Sequence, residues 1–199
     1  MEFFHKAAGR PSRLGVLPGT FNPLTVAHLA LAQAALDHVE QVLFVLPRAF
    51  PHKPYEGASF QQRIEMLRAA VRDSAAFSVA ASDGGLFVEI AAECRAAYGE
   101  EASLSFLCGR DAAERIAAWN DGQPEALAAM LGQFDLLVAA RGGEYRPPPE
   151  LRAKIRALQL PAGSDLVSAT EVRRRIACGQ PWEHMVPSAV RGRVRKIYG

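Results

Sequence analysis

Short apolar runs alternate along the chain with segments whose apolar residues recur every three to four positions. The runs predict buried strands over Leu14–Leu17, Val42–Leu46, Phe77–Ala80, Leu104–Cys108 and Leu136–Ala140. The helical spacing between them predicts helices over Val26–Asp37, Phe60–Asp73, Phe87–Tyr98 and Ala112–Trp119. This alternation predicts an α/β fold, a doubly wound parallel sheet of five or six strands with a small C-terminal helical segment.

In such sheets a ligand lies beyond the carboxyl ends of the strands, near the point where the strand order reverses. The loops after the first, fourth and fifth predicted strands are therefore the first candidates for a site. Two irregular segments, Pro47–Ala58 and Gly142–Pro149, precede helix signals, and we interpret them as loops over a site rather than as interdomain linkers. Residues 1–199 are accordingly expected to form a single domain.

Composition narrows the class of protein. With 199 residues, 49% hydrophobic and 22% charged, the chain can bury a sizeable core, which excludes disorder. Its apolar runs are far shorter than the roughly 20 residues that cross a bilayer, and Met1–Arg13 is too charged for a signal peptide. Cys94, Cys108 and Cys178 are far apart in sequence, which indicates neither a disulfide framework nor a zinc site. We expect a cytoplasmic protein with no membrane partner.

The net charge of +2 gives no global reason to expect a nucleic-acid partner. Basic residues are nevertheless concentrated in residues 173–199, which carry seven arginines and lysines and one acidic residue, Glu183. A solvated helix face explains most of this charge, and contact of part of it with a polyanion is the alternative.

The loop after the first predicted strand contains residues suited to binding phosphate. Thr25 is placed to cap the helix that follows, which makes His28 its third residue and puts both side chains at the positive end of the helix dipole. Free N–H groups, the Thr25 hydroxyl and the His28 imidazole can donate to phosphate oxygens, while Gly19 allows backbone to approach a ligand closely. The alternative, an ordinary capped turn, accounts for Thr25 but not for the occurrence of Gly19 and His28 beside it.

Residues 19–28, with the sequence GTFNPLTVAH, resemble the G-x-F-[DN]-P-x-[HT]-x-x-H signature of the nucleotidylyltransferase superfamily. The resemblance implies a Rossmann-like fold and an adenylyl or cytidylyl transfer that releases pyrophosphate. Residues 167–173, VSATEVR, resemble the second signature, I-S-S-T-x-x-R, with Ala169 in place of one serine. Ser168 and Glu171 predict a capping box, while Thr170 and Arg173, one turn apart, can direct a hydroxyl and a guanidinium at a triphosphate.

Three further segments resemble the adenylyltransferases that join nicotinate or nicotinamide mononucleotide to ATP. They are Pro51-His52-Lys53 with the helix containing Arg63, Gly109-Arg110-Asp111 with the later Trp119, and Val138–Gly142 with Arg141. The resemblance implies that Lys53 neutralises the acceptor phosphate, Asp111 binds ribose and Trp119 contacts the pyridine. Each residue also has a structural alternative. Lys53 can be a solvated loop lysine, Asp111 can be an N-cap in a capping box with Glu114, and Trp119 can be a core residue. Their common placement at strand ends, in the family order, favours a site.

Other features leave the acceptor open. Asn22, Thr25 and Ala27 stand where many bacterial relatives have Asp, His and Gly, although Asn and Thr also occur in the family. Residues Gly84–Ile90 lack the polar groups of a stretch in bacterial relatives that resembles a pyridine-side recognition element. The sequence therefore does not decide between nicotinate and nicotinamide mononucleotide. A phosphopantetheine adenylyltransferase-like enzyme and a non-catalytic nucleotide sensor are the alternatives.

The resulting hypothesis is attack of a mononucleotide 5′-phosphate on the α-phosphorus of ATP, with pyrophosphate leaving. The residues predicted to bind ATP are Gly19, Thr20, Phe21, Thr25, His28, Gly109, Asp111, Ser168, Thr170 and Arg173. Those predicted to bind the acceptor are Asn22, Lys53, Trp119 and Arg141, and those predicted to act in catalysis are His28, Thr25, Lys53 and Arg173. ATP is the expected co-substrate, with Mg²⁺ held mainly by substrate phosphates and water rather than by a protein metal site.

Overall fold

The computed structural model describes residues 1–49, 57–117, 129–139 and 145–199. Its strands are β1 (Glu2–His5), β2 (Arg13–Pro18), β3 (Gln41–Pro47), β4 (Phe77–Ser82), β5 (Ser103–Gly109), β6 (Asp135–Ala139) and β7 (Ile155–Leu158). The α-helices bounded within these ranges are α1 (Val26–Ala35), α2 (Phe60–Val71), α3 (Phe87–Tyr98), α4 (Arg110–Ala117), α5 (Ala169–Ala177) and α6 (Arg191–Tyr198). Short 3-10 turns lie at Pro149–Leu151, Ser164–Leu166, Glu183–Met185 and Ser188–Val190.

The strands form one sheet in the order β1-β4-β3-β2-β5-β6-β7. Strands β2 to β7 pair in parallel, whereas β1 pairs antiparallel with β4 at one edge. The chain starts the parallel part in the middle of the sheet, at β2, moves outward through β3 and β4, and returns to the other side of β2 with β5. The strand order therefore reverses between β2 and β5, so their carboxyl ends mark the position where doubly wound sheets bind ligands.

Different helices cover the two faces of the sheet. On one face, Val16, Phe106 and Val138 belong to a core shared with α3 and α4. On the other face, Phe44 and Leu107 belong to a core shared with α1 and α2. Because both faces are covered, β3 is buried at every position, and after Gln41 its sequence is continuously apolar instead of alternating.

A smaller apolar cluster joins the C-terminal part of the chain to α2. Its buried members include Met66 of α2, Val172 of α5, Trp182, and Val190 and Val194 next to and within α6. Burying an aliphatic side chain of this size stabilises the fold by about 1.5–3 kcal/mol. The cluster therefore fixes α5 and α6 against α2.

The predicted doubly wound fold is confirmed, and its five predicted strands begin and end within two residues of the observed bounds; Ala140 lies outside the described residues. Two strands, β1 and β7, were not predicted, so the sheet has seven strands rather than five or six. Both lie at sheet edges, where fewer positions need to be apolar: no residue of β1 is fully buried, and two of the four in β7 are exposed. The helices α1 and α2 end two residues earlier than predicted, and α4 begins two residues earlier. No helix in the described ranges combines the length and the apolar character needed to span a bilayer.

Candidate active site

The loop between β2 and α1 is packed tightly against the end of the sheet. The Gly19 N–H donates to the Val45 carbonyl at 3.0 Å, so this donor belongs to the sheet and is not left for a ligand. Phe21 is buried with φ of +47°, a left-handed conformation that non-glycine residues rarely adopt. A Cβ on Gly19 would lie 3.0 Å from Cζ of the Phe21 ring. Gly19 is thus required for packing of the Phe21 ring, in addition to any approach by a ligand.

Thr25 and His28 form a fixed pair at the start of α1. Thr25 is the N-cap, as predicted, and His28 is the third helical residue. The backbone N–H of Thr25 donates to Nδ1 of His28 at 3.0 Å, and the Thr25 Oγ1 lies 2.8 Å from the same nitrogen. Because a backbone N–H can only donate, Nδ1 is an acceptor and Nε2 carries the ring hydrogen. The pair therefore leaves the imidazole with one N–H donor, at Nε2.

This geometry changes the role of Thr25. The sequence predicted that its hydroxyl would donate to phosphate, but the residue is fully buried and its hydroxyl lies at hydrogen-bond distance from His28. The hydroxyl therefore orients the imidazole and does not face a ligand. The ring of Phe21 packs edge-on against His28, with centroids 5.3 Å apart, and restricts the imidazole from a second side.

The second predicted motif reaches the same loop from the other end of the chain. Arg173, on α5, donates through its guanidinium to the backbone carbonyl of Asn22. Its other terminal nitrogen lies 3.5 Å from the Thr170 hydroxyl oxygen. Ser168 is the N-cap of α5 and accepts from the Glu171 N–H at 3.1 Å, which leaves its hydroxyl hydrogen free to donate. The starts of α1 and α5, each with a positive dipole end, are therefore brought together.

The predicted capping box at the start of α5 is only half formed. Ser168 accepts from Glu171, but the Glu171 carboxylate bonds Arg174 at 2.7 Å and Arg175 at 2.8 Å instead of returning to Ser168. These two guanidinium groups lower the pKa of Glu171 to about 2. Arg174 and Arg175, two of the basic residues within 173–199, thus neutralise Glu171, while Arg173 is directed at the loop.

Asn22 is a junction between distant parts of the chain. Its side chain is buried, and its Oδ1 accepts from the Ala58 N–H at 3.2 Å and from the Tyr198 hydroxyl. Its backbone carbonyl accepts from Arg173. A Cβ on Gly57 would collide with the Asn22 amide, so the two groups are in close contact. Asn22, predicted as an acceptor-binding residue, holds together the loop, residues 57–58 and both C-terminal helices.

Arg63 is a site residue that the sequence analysis named only as part of a motif. It lies on α2, is 4% exposed, and donates to the Thr20 carbonyl at 3.2 Å. Arg63 and Arg173 therefore bind two carbonyls of one loop from two different helices. An arginine in the middle of an otherwise apolar helix face was the only signal in the sequence, because its partner is 43 residues away.

Gly109 and Asp111 lie at the carboxyl end of β5, beside the point where the strand order reverses. The alternative to the ribose contact, an N-cap role for Asp111, is excluded because α4 already begins at Arg110. Glu114, its predicted partner in the box, pairs with Arg110 at 2.7 Å. The exposed Asp111 carboxylate makes no hydrogen bond within the described ranges, and a Cβ on Gly109 would meet no atom within 4 Å. Both positions are thus open toward solvent, as a nucleotide site at this edge requires.

The backbone N–H groups of residues 84–86, just before α3, donate to two carboxylates of the same chain. Glu89 accepts from the N–H groups of Gly85 and Leu86, each at 2.9 Å. Glu93 accepts from the Gly84 N–H at 3.0 Å and from the Ser82 hydroxyl at 2.5 Å. Burial raises the pKa of Glu93, but these hydrogen bonds and the N-terminal ammonium, 3.0 Å from Oε2, outweigh it, so that the pKa lies below its usual value. The N–H groups at the start of this stretch are therefore already paired within the chain.

Lys53, Trp119 and Arg141, which the sequence analysis assigned to the acceptor, lie outside the described residues. The described part of the site is dominated by cations and hydrogen-bond donors. In the described ranges no group of three or more His, Cys, Asp or Glu side chains could hold a metal ion. Such a set suits an anionic ligand with several phosphates, bound between two helix starts and beside two arginines.

A doubly wound parallel sheet whose strand order reverses beside a loop and a helix start is the architecture of nucleotide-binding α/β proteins. Residues 16–175 match the family described as cytidylyltransferase-like, and the chain belongs to that family. The match spans both predicted motifs and four-fifths of the chain.

Curated relatives cover most of the chain. It is 31% identical over 203 residues to a probable nicotinate-nucleotide adenylyltransferase of Moorella thermoacetica, covering 94% of this chain and 90% of the relative. It is 31% identical over 189 residues to the protein of the same name in Bordetella avium, covering 89% and 92%. These matches support the nucleotidylyltransferase resemblance that the motifs predicted.

A solved structure shares the fold. The nicotinic acid mononucleotide adenylyltransferase of Plasmodium falciparum, complexed with NaAD, superposes with a TM-score of 0.70 at 15% identity, covering 92% of this chain and 95% of that one. At this identity the superposition shows the fold alone.

Proposed function

We propose that the protein transfers the adenylyl group of ATP to the 5′-phosphate of a pyridine mononucleotide, releasing pyrophosphate and forming a dinucleotide for NAD biosynthesis. One observation carries the proposal: Arg173 binds the Asn22 carbonyl, so both predicted motifs face one site. The names of the relatives support nicotinate mononucleotide as the acceptor. The free thiols Cys94, Cys108 and Cys178 fit a reducing cytoplasm as the place of the reaction.

The donors divide between holding ATP and stabilising the charge that develops during transfer. An oxygen of the acceptor phosphate forms a bond to the α-phosphorus while the bond to pyrophosphate breaks. The acceptor phosphate, with a second pKa of about 6, is mostly ionised at neutral pH, so no side chain has to remove a proton. The Nε2–H of His28, the Arg173 guanidinium, and the Ser168 and Thr170 hydroxyls stabilise the phosphate oxygens. Orientation and electrostatic stabilisation then provide the catalysis.

We expect Mg²⁺ to bind together with ATP rather than at a metal site of the protein. The described site offers donors and cations and no cluster of carboxylates, which fits an ion held by triphosphate oxygens and water. Such an ion supplies charge neutralisation at the phosphates. The chain's own contribution is to hold those phosphates with Arg173 and the helix starts.

The acceptor contacts follow the family resemblance. We assign Lys53 to the acceptor phosphate, Trp119 to the pyridine and Arg141 to the acceptor side of the site. Glu89 and Glu93 occupy the N–H donors of Gly84, Gly85 and Leu86. Glu93 is paired with the N-terminal ammonium at 3.0 Å, but a ring carboxylate placed near this stretch would meet the Glu89 carboxylate. Nicotinamide mononucleotide is therefore a necessary second substrate in the test.

The experiment measures pyrophosphate release by the purified protein with ATP, Mg²⁺ and one acceptor at a time. The acceptors are nicotinate mononucleotide, nicotinamide mononucleotide, phosphopantetheine and none. We expect release with a pyridine mononucleotide, and loss of that release in Arg173→Gln but not in the matched surface variant Arg193→Gln. Release with phosphopantetheine alone overturns the acceptor assignment, and ATP binding without release under any condition overturns the enzyme assignment in favour of a sensor.

A further inference from the structure

The C-terminal helix supplies a contact to the site that neither predicted motif contains. Tyr198, in the last turn of α6, donates its hydroxyl to Oδ1 of Asn22, 176 residues earlier in the chain. We propose that Tyr198 is a positioning residue that fixes the Asn22 amide and, through it, holds residues 57–58 against the loop between β2 and α1. The consequence for acceptor binding rests on the proposed function, whereas the structural coupling does not.

The orientation of the Asn22 amide follows from its partners. The backbone N–H of Ala58 can only donate, so the atom it meets at 3.2 Å must be the amide oxygen. The Tyr198 hydroxyl contacts that same oxygen and therefore acts as the donor. Two donors on one oxygen fix the plane of the amide, and loss of either donor leaves the other to hold it alone.

The amide in turn determines where residues 57 and 58 lie. Gly57 is in contact with the Asn22 amide, where a Cβ would collide, and Ala58 is 2% exposed and bonded to its oxygen. The amide that holds this segment belongs to Asn22, which is itself a predicted acceptor-binding residue. A displaced Asn22 amide should therefore affect binding of the acceptor.

Tyr198 is itself held by packing rather than by a ligand. Its ring is partly buried against the cluster that contains Met66 and Trp182, together with Ile197. A side chain held in this way loses little further rotamer freedom when its hydroxyl bonds Asn22. The hydroxyl is therefore in place before any substrate binds.

Kinetics test the functional part of the proposal through Tyr198→Phe, which keeps the ring and removes the hydroxyl. Losing one buried hydrogen bond corresponds to roughly a fivefold to twentyfold effect. We expect the KM for the pyridine mononucleotide to rise by that factor while kcat and the KM for ATP change less than about twofold. Tyr98→Phe, which removes a buried hydroxyl on α3, is the matched control and should leave all three unchanged. An unchanged acceptor KM in Tyr198→Phe overturns this part.

A double-mutant cycle with Asn22→Ala tests whether Tyr198 acts through the amide. In the Asn22→Ala background, Tyr198→Phe should have no further effect on the acceptor KM. Equal effects in both backgrounds show that Tyr198 acts elsewhere and overturn the proposal.

Hydrogen exchange of the Ala58 amide, measured by NMR without substrate, tests the coupling independently of any enzyme activity. We expect exchange to be about tenfold faster in Tyr198→Phe and unchanged in Tyr98→Phe. Faster exchange in a protein that releases no pyrophosphate would refute the proposed function and leave the positioning role standing. Unchanged exchange overturns the positioning role even if the enzyme is active.

Discussion

The guanidinium of Arg173 donates to the backbone carbonyl of Asn22, although 151 residues separate them. The contact joins the start of α5 to the loop that leads into α1. Both helix starts carry partial positive charge, and Arg173 adds a full one. When no ligand is bound, these positive charges repel one another. A bound polyphosphate should therefore stabilise the folded protein as well as serve as substrate.

Replacing His28 tests the main proposed donor. His28→Ala should reduce kcat by about 10²–10³-fold, because it removes one preorganised donor worth roughly 3–4 kcal/mol in the transition state. Steady-state kinetics with ATP and the accepted mononucleotide measure the effect, and a melting curve confirms that the variant folds. Unchanged turnover would remove His28 from the mechanism.

Replacing Thr25 separates orientation from direct contact. Thr25→Val keeps the shape and removes the hydroxyl that lies 2.8 Å from Nδ1, while the Thr25 N–H continues to bind that nitrogen. We expect kcat to fall only about tenfold, since the imidazole keeps one of its two restraints. The loss of the hydrogen bond between this hydroxyl and His28 should cost about 0.5–1.5 kcal/mol of stability, so rates are compared well below the melting temperature. A loss as large as that of His28→Ala would mean that Thr25 contacts the substrate itself.

Gly19→Ala tests the packing role of the glycine in the loop. The added Cβ would lie 3.0 Å from the Phe21 ring, which cannot withdraw because it is buried and packed edge-on to His28. We expect a destabilisation of about 1–3 kcal/mol, measured by denaturant unfolding, together with reduced activity. The matched control, Gly192→Ala on α6, adds a Cβ that meets nothing within 4 Å and should not destabilise the protein. Equal stability of the two variants would contradict the packing role.

The three cysteines should differ in reactivity. Burial raises the pKa of Cys94 and of Cys108 to about 12, so neither forms appreciable thiolate at pH 8. Cys178 is exposed at the end of α5. A disulfide reagent should therefore modify one thiol per native chain and three after denaturation, and Cys178→Ser should abolish the native reaction. Two or three fast thiols in the native protein would refute this assignment.

The Glu171 ion pairs should give stability that depends on pH. Arg174 and Arg175 lower the folded pKa of Glu171 from 4.5 to about 2, so the folded state favours the carboxylate more than the unfolded state does. The resulting contribution is fully present above pH 4.5 and is lost as the pH falls toward 2. The melting temperature of the native protein should exceed that of Glu171→Gln at pH 6, and the difference should shrink by pH 3. A constant difference would show that the effect is not electrostatic.

The parts of the fold and site that local sequence could predict are those set by neighbouring residues. The buried strands are continuous apolar runs, and Thr25 and Ser168 are N-caps because their side chains act within one turn. The edge strand β7 was missed because only its two end positions, Ile155 and Leu158, are buried. A four-residue edge strand can be stable with only two buried apolar positions, which is too short a pattern to recognise in the sequence.

The contacts that complete the site could not be predicted from local patterns. Arg63 donates to a carbonyl 43 residues away, and Tyr198 donates to an amide 176 residues away. The residues next to Arg63 and Tyr198 in the sequence give no indication of these partners. The alternative N-cap role of Asp111 is excluded for a related reason, since the strand β5 passes directly into α4 at Arg110 and leaves no place for a cap. In each case the tertiary structure, rather than residue preference, decides the role.

The apolar cluster between α2 and the C-terminal helices connects Met66 to the two helices that contact Asn22. Met66 is fully buried among residues that include Val172 and Val194, one on the helix of Arg173 and the other on the helix of Tyr198. A change in its volume would displace both of those helices, and with them the contacts that Asn22 receives. Natural variation at this inaccessible methionine should therefore alter the geometry around Asn22 without changing any group that lines the site.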